Sequence, residues 1–188
     1  MTKIINFYGG PSCGKTSKML GVAAWMKEKR LNVEIAPEFV KFPVWEEHSS
    51  LIDNQLVLFA EQNRLLYSLL GKVDYVITDS PLLLSMVYVK KGQKKFIKNR
   101  RLWDDYFSDL VWQTYQQYEN INFFIDRKNR KYVKAGRLQN KEEAVQIDNE
   151  VLKVLQKYNL NYWTVSNKNQ IIDILGLKKK INDRKRTN

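Results

Sequence analysis

The sequence has very few of the residues that form cross-links and metal clusters. It contains one cysteine, Cys13, and one histidine, His48, among 188 residues. A single cysteine excludes an internal disulfide framework and favours a reducing compartment. Cys13 and His48 together are too few ligands for a zinc site of cysteine and histidine. We interpret Cys13 as a small residue tolerated in a loop and not as a reactive thiol.

Long apolar runs are missing as well. No stretch approaches the roughly 18 uninterrupted apolar residues of a membrane span. The first strand-like run begins at Lys3, so no signal peptide is expected. These features predict a cytoplasmic protein without a membrane partner. A length of 188 residues and an apolar content of 44% predict one domain with a packed core.

Acidic residues are outnumbered by basic ones. The chain has 32 Lys and Arg against 20 Asp and Glu, a net charge of +12. The excess is concentrated at positions 90–101, 127–137 and 178–186. Such clusters favour phosphate-rich partners, which are nucleotides or nucleic acid. For the last cluster we prefer a solvated surface or a loose electrostatic arm, so we predict a domain over 1–176 and a basic C-terminal tail over 177–188, the one candidate for disorder.

One short motif carries a specific chemistry. Residues 9–16 read GGPSCGKT and match G-x-x-x-x-G-K-[ST], the phosphate-binding P-loop, between a strand-like run at 3–8 and a helical segment at 17–30. The loop backbone would wrap the phosphates of ATP, Lys15 would reach the β- and γ-phosphates, and the Thr16 hydroxyl would hold Mg²⁺. The residues predicted to bind the nucleotide in this region are Gly9, Gly10, Pro11, Ser12, Cys13, Gly14, Lys15, Thr16 and Ser17.

Strand-like and helical segments alternate along the rest of the chain. Further strands are predicted at 32–36, 74–78, 121–125 and 161–165, and helices at 51–70, 102–119, 141–158 and 169–175. This alternation predicts a three-layer α/β fold of the P-loop NTPase type, in which helices flank a five-stranded parallel sheet. The buried stripe predicted for the 51–70 helix consists of Leu56, Phe59, Ala60, Leu66 and Leu70.

Two carboxylates are predicted at the carboxyl edge of this sheet, where parallel sheets bind ligands. Asp79 directly follows the third strand and could hold Mg²⁺ through water, with a turn cap as the alternative. Glu38 follows the second strand and could accept a proton from an attacking hydroxyl, with a surface glutamate as the alternative. The nearby aromatic residues that could stack on a base or ring are Phe39, Phe42 and Trp45.

The basic segment at 127–137 predicts a lid. It lies between the fourth strand and the next helix, and Gly136 provides a flexible point. Mobile arginines could neutralise the charge that develops during phosphoryl transfer, and a closed lid would exclude water. Arg127 and Arg137 are our first choices for that catalytic role, and Arg130 for a contact to the nucleotide.

These segments together resemble a known group of proteins. The P-loop, Glu38, the segments at 53–64 and 74–81, and the segment at 136–148 with Asp148 resemble small P-loop ATPase/kinase proteins. That group is common in tailed-phage genomes and akin to ribosylnicotinamide kinase and to nucleoside and nucleotide kinases. The resemblance covers residues 3–165. A phage origin would place the protein in the host cytoplasm.

The resemblance also implies roles for individual residues. It implies an ATP·Mg²⁺ donor, with Lys15 on the phosphates and Thr16 on the metal. Asp79 takes the role of the Walker B acid, and Glu38 that of the base. Arg127 and Arg137 belong to the lid. Ser80 departs from the pattern, because nucleoside kinases often carry an arginine at that place.

Three functions follow from these residues. The leading hypothesis is an ATP-dependent kinase that transfers the γ-phosphate to a hydroxyl of a nucleoside, nucleotide or related metabolite. The second is a kinase of DNA or RNA, acting on a 5′ end or a hydroxymethylated base, favoured by the charge of +12. The third is an ATP-binding regulatory switch with slow hydrolysis. The aromatics that could stack on unpaired bases, although helix packing is preferred for them, are Tyr88, Phe96, Trp103, Tyr106 and Phe107.

Overall fold

Five parallel strands form the sheet at the centre of the fold. A computed structural model of the chain describes residues 1–89, 98–127 and 140–177. The strands are β1 (Lys3–Tyr8), β2 (Val33–Ala36), β3 (Tyr75–Thr78), β4 (Glu119–Ile125) and β5 (Trp163–Val165). Their order is β2-β3-β1-β4-β5, and every neighbouring pair is parallel. The predicted α/β fold with a five-stranded parallel sheet is therefore confirmed.

Helices lie on both faces of this sheet. Their bounds are α1 (Lys15–Glu28), α2 (Lys41–Trp45), α3 (Ser49–Ile52), α4 (Gln55–Leu69), α5 (Leu84–Val89), α6 (Arg100–Tyr115), α7 (Lys141–Lys157) and α8 (Lys168–Ile174). The sequence did not predict α2 or α5. Both are short, and most of the residues of α5 are buried, so no alternation of polar and apolar residues marks it as a helix.

Alternate side chains of β1 divide the core into two layers. Ile4 and Tyr8 pack with residues of α4, α5, α6 and α7 on one face. Ile5 and Phe7 pack with residues of α1 and α8 on the other. Because all five strands are parallel, the loops after β1, β2 and β3 leave the sheet at one edge.

The predicted helix at 51–70 is two helices. Asn54 interrupts it with φ −95° and ψ 87°, and its side chain accepts a hydrogen bond from the Val57 backbone N–H at 3.3 Å, which caps α4. The predicted stripe was wrong at Leu56, which is 38% exposed, and at Ala60, which is also exposed. The buried residues of α4 are Phe59, Gln62 and Leu66. A polar residue sits in this stripe because both ends of its amide are hydrogen-bonded, as described below.

Several predicted features lie outside the described residues. They include Arg130, Arg137 and the rest of the lid at 128–139, positions 90–97 of the first basic cluster, and positions 178–188 of the tail. Leu177, the first residue of the predicted tail, is 1% exposed and packs in the layer of α1 and α8. Within the described ranges, none of the helices combines the length and the apolar character that crossing a bilayer requires.

Candidate functional site

The loop between β1 and α1 has the backbone geometry of an anion cradle. Ser12 and Gly14 adopt left-handed conformations, with φ of 62° and 95°. Such residues, alternating with right-handed ones, create concave arrays of backbone N–H groups. Gly14 is the N-cap of α1, and no side chain caps this helix. The N-cap residue therefore supplies no acceptor to the N–H groups of the first turn of this 14-residue helix, an arrangement that favours an external anion.

The first turn of this loop is anchored by Asp148 on α7. Its Oδ1 accepts a hydrogen bond from the Gly10 backbone N–H at 2.5 Å, and its Oδ2 accepts one from Arg127 Nε at 2.7 Å. Arg127 also donates from Nη2 to the carbonyl oxygen of Ala144 at 3.3 Å. A Cβ on Gly10 would lie 2.4 Å from that same carbonyl oxygen, so α7 packs too closely for any side chain at this position. The loop shape thus depends on a helix far away in sequence.

Asp148 was not predicted as a site residue, and it appeared only among residues that carry the family resemblance. It is 9% exposed and shares the inner face of α7 with Ile147 and Val151. A carboxylate on the buried side of an amphipathic helix signals a specific partner, because an unpaired buried charge is costly. The sequence shows a carboxylate on the buried face of this helix, but it does not show which groups pair with that carboxylate.

Lys15 lies across the cradle. Its Nζ donates to the carbonyl oxygen of Gly9 at 2.6 Å and to that of Gly10 at 3.1 Å. The ammonium is therefore held over the loop that the motif assigns to phosphates. Among the other predicted contact residues, Pro11 and Cys13 are buried, whereas Ser17 is exposed on the first turn of α1.

Thr16 and Asp79, predicted as a metal pair, are in contact. The Thr16 hydroxyl donates a short hydrogen bond to Asp79 Oδ2, joining the start of α1 to the end of β3. Asp79 is 1% exposed, and its Oδ1 is buried and has no hydrogen-bond partner within the described part of the chain. A buried carboxylate oxygen without a donor is poised to accept a metal-bound water.

The donor set fits Mg²⁺. A hydroxyl and a carboxylate are hard oxygen ligands, and Mg²⁺ in nucleotide sites is held by one or two protein groups, with water and phosphates completing its shell. In residues 1–89, 98–127 and 140–177 there is no cluster of three or more His, Cys, Asp or Glu that could form a full protein cage. The pair of Thr16 and Asp79 is thus the arrangement expected of a site that shares Mg²⁺ with a nucleotide.

Lys41 on α2 places its ammonium at the centre of this arrangement. Its Nζ lies 3.1 Å from Thr16 Oγ1, 3.4 Å from Asp79 Oδ2 and 3.6 Å from Glu38 Oε2. Lys41 was not predicted from the sequence. The available signal was its spacing, because it follows Glu38 by three residues and so can lie beside it on one helical turn.

Glu38 is held near this edge by a buried amide. Gln62 on α4 accepts from the Phe39 backbone N–H at 3.1 Å and donates from Nε2 to Thr78 Oγ1 at 3.3 Å. Thr78 Oγ1 also accepts from the backbone N–H of Ser80 at 3.1 Å. Gln62 thereby ties the loop after β2 to the end of β3, and Glu38 and Asp79 come to share the ammonium of Lys41.

The aromatic residues near Glu38 face solvent. Phe42 and Trp45 on α2 are 58% and 71% exposed, and Phe39 is half-buried. They are therefore not part of the core and remain accessible to a ligand.

The aromatics of the nucleic-acid hypothesis mostly pack inside, as preferred above. Phe107 is 2% exposed, with its ring 6.2 Å from that of Trp103 and 5.8 Å from that of Phe59. Tyr88 packs against the same core layer. Tyr106 is 67% exposed, and Phe96 lies outside the described residues.

Two tyrosines beneath the loop are held neutral. Burial raises the pKa of Tyr8, the residue before the P-loop, well above its ordinary value. Burial also raises the pKa of Tyr115 to about 12, and its hydroxyl donates to Asn122 Oδ1 at 3.0 Å. Neither hydroxyl brings a negative charge toward the anion cradle at neutral pH.

The chain has recognisable relatives. A family described as AAA domain (AAA_28) matches residues 4–170. The crystal structure of thymidylate kinase from Ehrlichia chaffeensis superposes with a TM-score of 0.62 and 19% identity, over 93% of this chain and 99% of that one. The crystal structure of NadR protein in complex with NR superposes with a TM-score of 0.66 and 16% identity, over 93% of this chain and 50% of that one. No curated protein matches the sequence.

These similarities concern the fold. At 19% and 16% identity they show that the fold of this chain is shared with a thymidylate kinase and with part of the NadR protein. The chain spans half the length of the NadR protein, so the comparison covers one part of that molecule.

Proposed function

The chain belongs to this AAA-domain family of P-loop NTPases over residues 4–170, and from that premise we propose that it is an ATP-dependent kinase. The γ-phosphate would be transferred to a hydroxyl of a nucleoside, a nucleotide or a related metabolite. A thymidylate kinase shares the fold, which supports a nucleotide-like acceptor. The cytoplasmic location and the phage origin that the sequence implies stay predictions.

One observation carries the proposal. The residues assigned to the metal and to the base come from three separate segments of the chain, yet Thr16, Asp79 and Glu38 all lie within 3.6 Å of one ammonium, that of Lys41. They also lie beside the P-loop, because Thr16 is its last residue. Phosphoryl transfer needs donor phosphates, a metal and an acceptor hydroxyl in one place.

The side chains would divide the work as follows. Thr16 and Asp79 would hold Mg²⁺, which neutralises charge on the phosphates when bound. Lys15 would exchange the carbonyl oxygens of Gly9 and Gly10 for phosphate oxygens. Glu38 would orient the acceptor hydroxyl and take its proton.

The acceptor side of the site supports a ring-containing substrate. Phe42 and Trp45 are exposed on α2, directly after Lys41, and could stack on a base. Arg127 is paired with Asp148 beside Gly10. The proposal includes charge neutralisation by Arg127 and Arg137 of the lid and a contact from Arg130 to the nucleotide.

Transfer of label from γ-labelled ATP to a panel of nucleosides, nucleotides and oligonucleotides tests the proposal. We expect labelling of a small acceptor, and loss of transfer by about 10²-fold or more in Lys15→Ala, because one preorganised charge at the transferred group is removed. Circular dichroism would confirm that this variant is folded. Labelling of DNA or RNA alone would favour the nucleic-acid kinase, and hydrolysis without transfer would favour the regulatory switch.

The role of Glu38 has its own test. Glu38→Gln should lower kcat by about 10²-fold or more, since general base catalysis is worth that much, while ADP binding stays close to wild type. Glu46→Gln is the matched control, because Glu46 is exposed and pairs with His48. A parallel loss of kcat and ADP affinity in Glu38→Gln would show that Glu38 holds metal or structure and is not the base.

A further inference from the structure

The ammonium of Lys41 lies on the two oxygens that the proposed function assigns to the metal. Thr16 Oγ1 is 3.1 Å away and Asp79 Oδ2 is 3.4 Å away. An ammonium 3.1 Å from Thr16 Oγ1 and a metal ion bound to that same oxygen would compete for it and repel each other, even though Asp79 Oδ1 is left open.

The surroundings of Lys41 show why its position is favourable. Asp79 is 1% exposed, and a buried carboxylate that lacks a cation is costly. Thr16 offers only a hydroxyl, and the third neighbour, Glu38, is a second carboxylate at 3.6 Å. The Lys41 side chain itself is 36% exposed, so it can leave toward solvent without disturbing the core.

We propose that Lys41 is the resident cation of the metal site, holding it in the nucleotide-free protein and leaving when Mg²⁺ binds with the nucleotide. This inference rests on the proposed function and adds a regulating residue to the same site. Lys41 contacts both Asp79 and Glu38 and so neutralises the two carboxylates together. With Asp79 engaged in the metal site, the ammonium would keep Glu38 as its partner, which would couple the metal side of the site to the base.

The exchange predicts a measurable change in how nucleotide binding depends on Mg²⁺. Part of the free energy of Mg²⁺ binding is spent on displacing Lys41, so removal of the ammonium must strengthen the dependence of nucleotide binding on Mg²⁺. Lys41→Met is the suitable change, because methionine keeps an unbranched apolar stem and lacks the charge.

Calorimetric titration of the full chain with ADP, in EDTA and in saturating MgCl₂, measures this dependence. It is expressed as the dissociation constant in EDTA divided by the dissociation constant in MgCl₂. We expect the ratio to be larger in Lys41→Met than in wild type by about fivefold or more, the range of ordinary coupling between two ligands. Lys27→Met is the matched control. Lys27 is on the last turn of α1, about 18 Å along the helix from Lys15. Its side chain pairs with Glu34 on β2.

Two further measurements separate displacement from a general effect of charge. The difference should persist at about 0.5 M NaCl, where the field of a non-contacting charge is screened within a few ångströms. Lys41→Gln should give the same result, and thermal unfolding would show that both variants fold.

The outcomes discriminate. An unchanged ratio in folded Lys41→Met and Lys41→Gln, or a change no larger than that of Lys27→Met, overturns the role of Lys41 and leaves the proposed kinase intact. Absence of ADP binding to wild type under both conditions would overturn the nucleotide site itself, and this inference with it.

Discussion

Two of the ion pairs at the site each have a buried carboxylate. Asp79 is neutralised by Lys41, and Asp148 by Arg127. Each acid is at least nine-tenths buried and lies against the P-loop region, one through Thr16 and the other through Gly10. Buried pairs of this kind contribute little net stability but fix geometry, because removing one partner leaves the other charge uncompensated. The loop is thus positioned by charges on both of its ends.

At the residue scale, Asp148→Asn tests that arrangement. An asparagine can still accept from the Gly10 N–H, but it leaves the guanidinium of Arg127 without its counter-charge. We expect a loss of about 2 kcal/mol in the free energy of unfolding, which is the order of a hydrogen bond to a charged group. ADP affinity should fall as well, since Gly10 lies in the cradle. Urea unfolding and calorimetry measure the two effects.

The matched control for Asp148→Asn is Asp109→Asn on the exposed face of α6. It should change neither quantity. If Asp148→Asn lowered stability by no more than this control, the pair with Arg127 would not be anchoring the loop.

The starts of the described helices differ in whether a side chain caps them. Four helices begin at an asparagine whose side chain accepts from the first turn. These N-caps are Asn54, Asn99, Asn140 and Asn167. The helix after the P-loop, α1, begins at Gly14 without a side-chain cap. A helix start without a side-chain cap is less stable than a capped one, and here it coincides with the place where the P-loop motif predicts an anion.

At the element scale, Asn54→Ala should destabilise the protein by about 1 kcal/mol, the usual worth of an N-cap. The cap separates α3 from α4, so its loss would favour the continuous helix that the sequence predicted. Urea unfolding measures the change. Gln146→Ala, at an exposed interior position of α7, is the control, and we expect it to be near neutral or slightly stabilising because alanine favours helix. A neutral Asn54→Ala would contradict the capping role.

The packed part of the molecule extends to Leu177. The sequence placed the boundary between domain and tail before this residue, and that division stays a prediction, but Leu177 is 1% exposed in the layer of α1 and α8. The basic residues of the tail begin at Lys178. Part of the net charge of +12 is therefore carried by residues that follow Leu177 in the sequence.

At the scale of the whole molecule, removal of 178–188 should leave stability and turnover on a small acceptor unchanged. Removal of 177–188 should lower the free energy of unfolding by about 2 kcal/mol more, because it also removes the buried side chain of Leu177. Urea unfolding of the two truncated proteins gives the difference. A large loss of turnover in the shorter deletion would show that the tail belongs to the site.

The parts of the fold that the sequence predicted correctly are those specified by neighbouring residues. The five strands, the P-loop and the position of Asp79 after β3 were recognised from short patterns of apolar residues, glycine and turn residues. Such patterns report local backbone preference and burial. The break at Asn54 was missed because a cap and a continuous helix differ there by a single hydrogen bond.

The sequence by itself determined the class of fold and the place of the P-loop motif between β1 and α1, since both are specified by contiguous residues. Only the tertiary structure decided which charges meet. Asp148 reaches Gly10 across 138 positions of the chain, and Thr16 reaches Asp79 across 63. Contacts over such separations depend on how helices pack on the sheet, and no local pattern encodes the partner. For the same reason Lys41 was unremarkable as a residue of the sequence and central in the site.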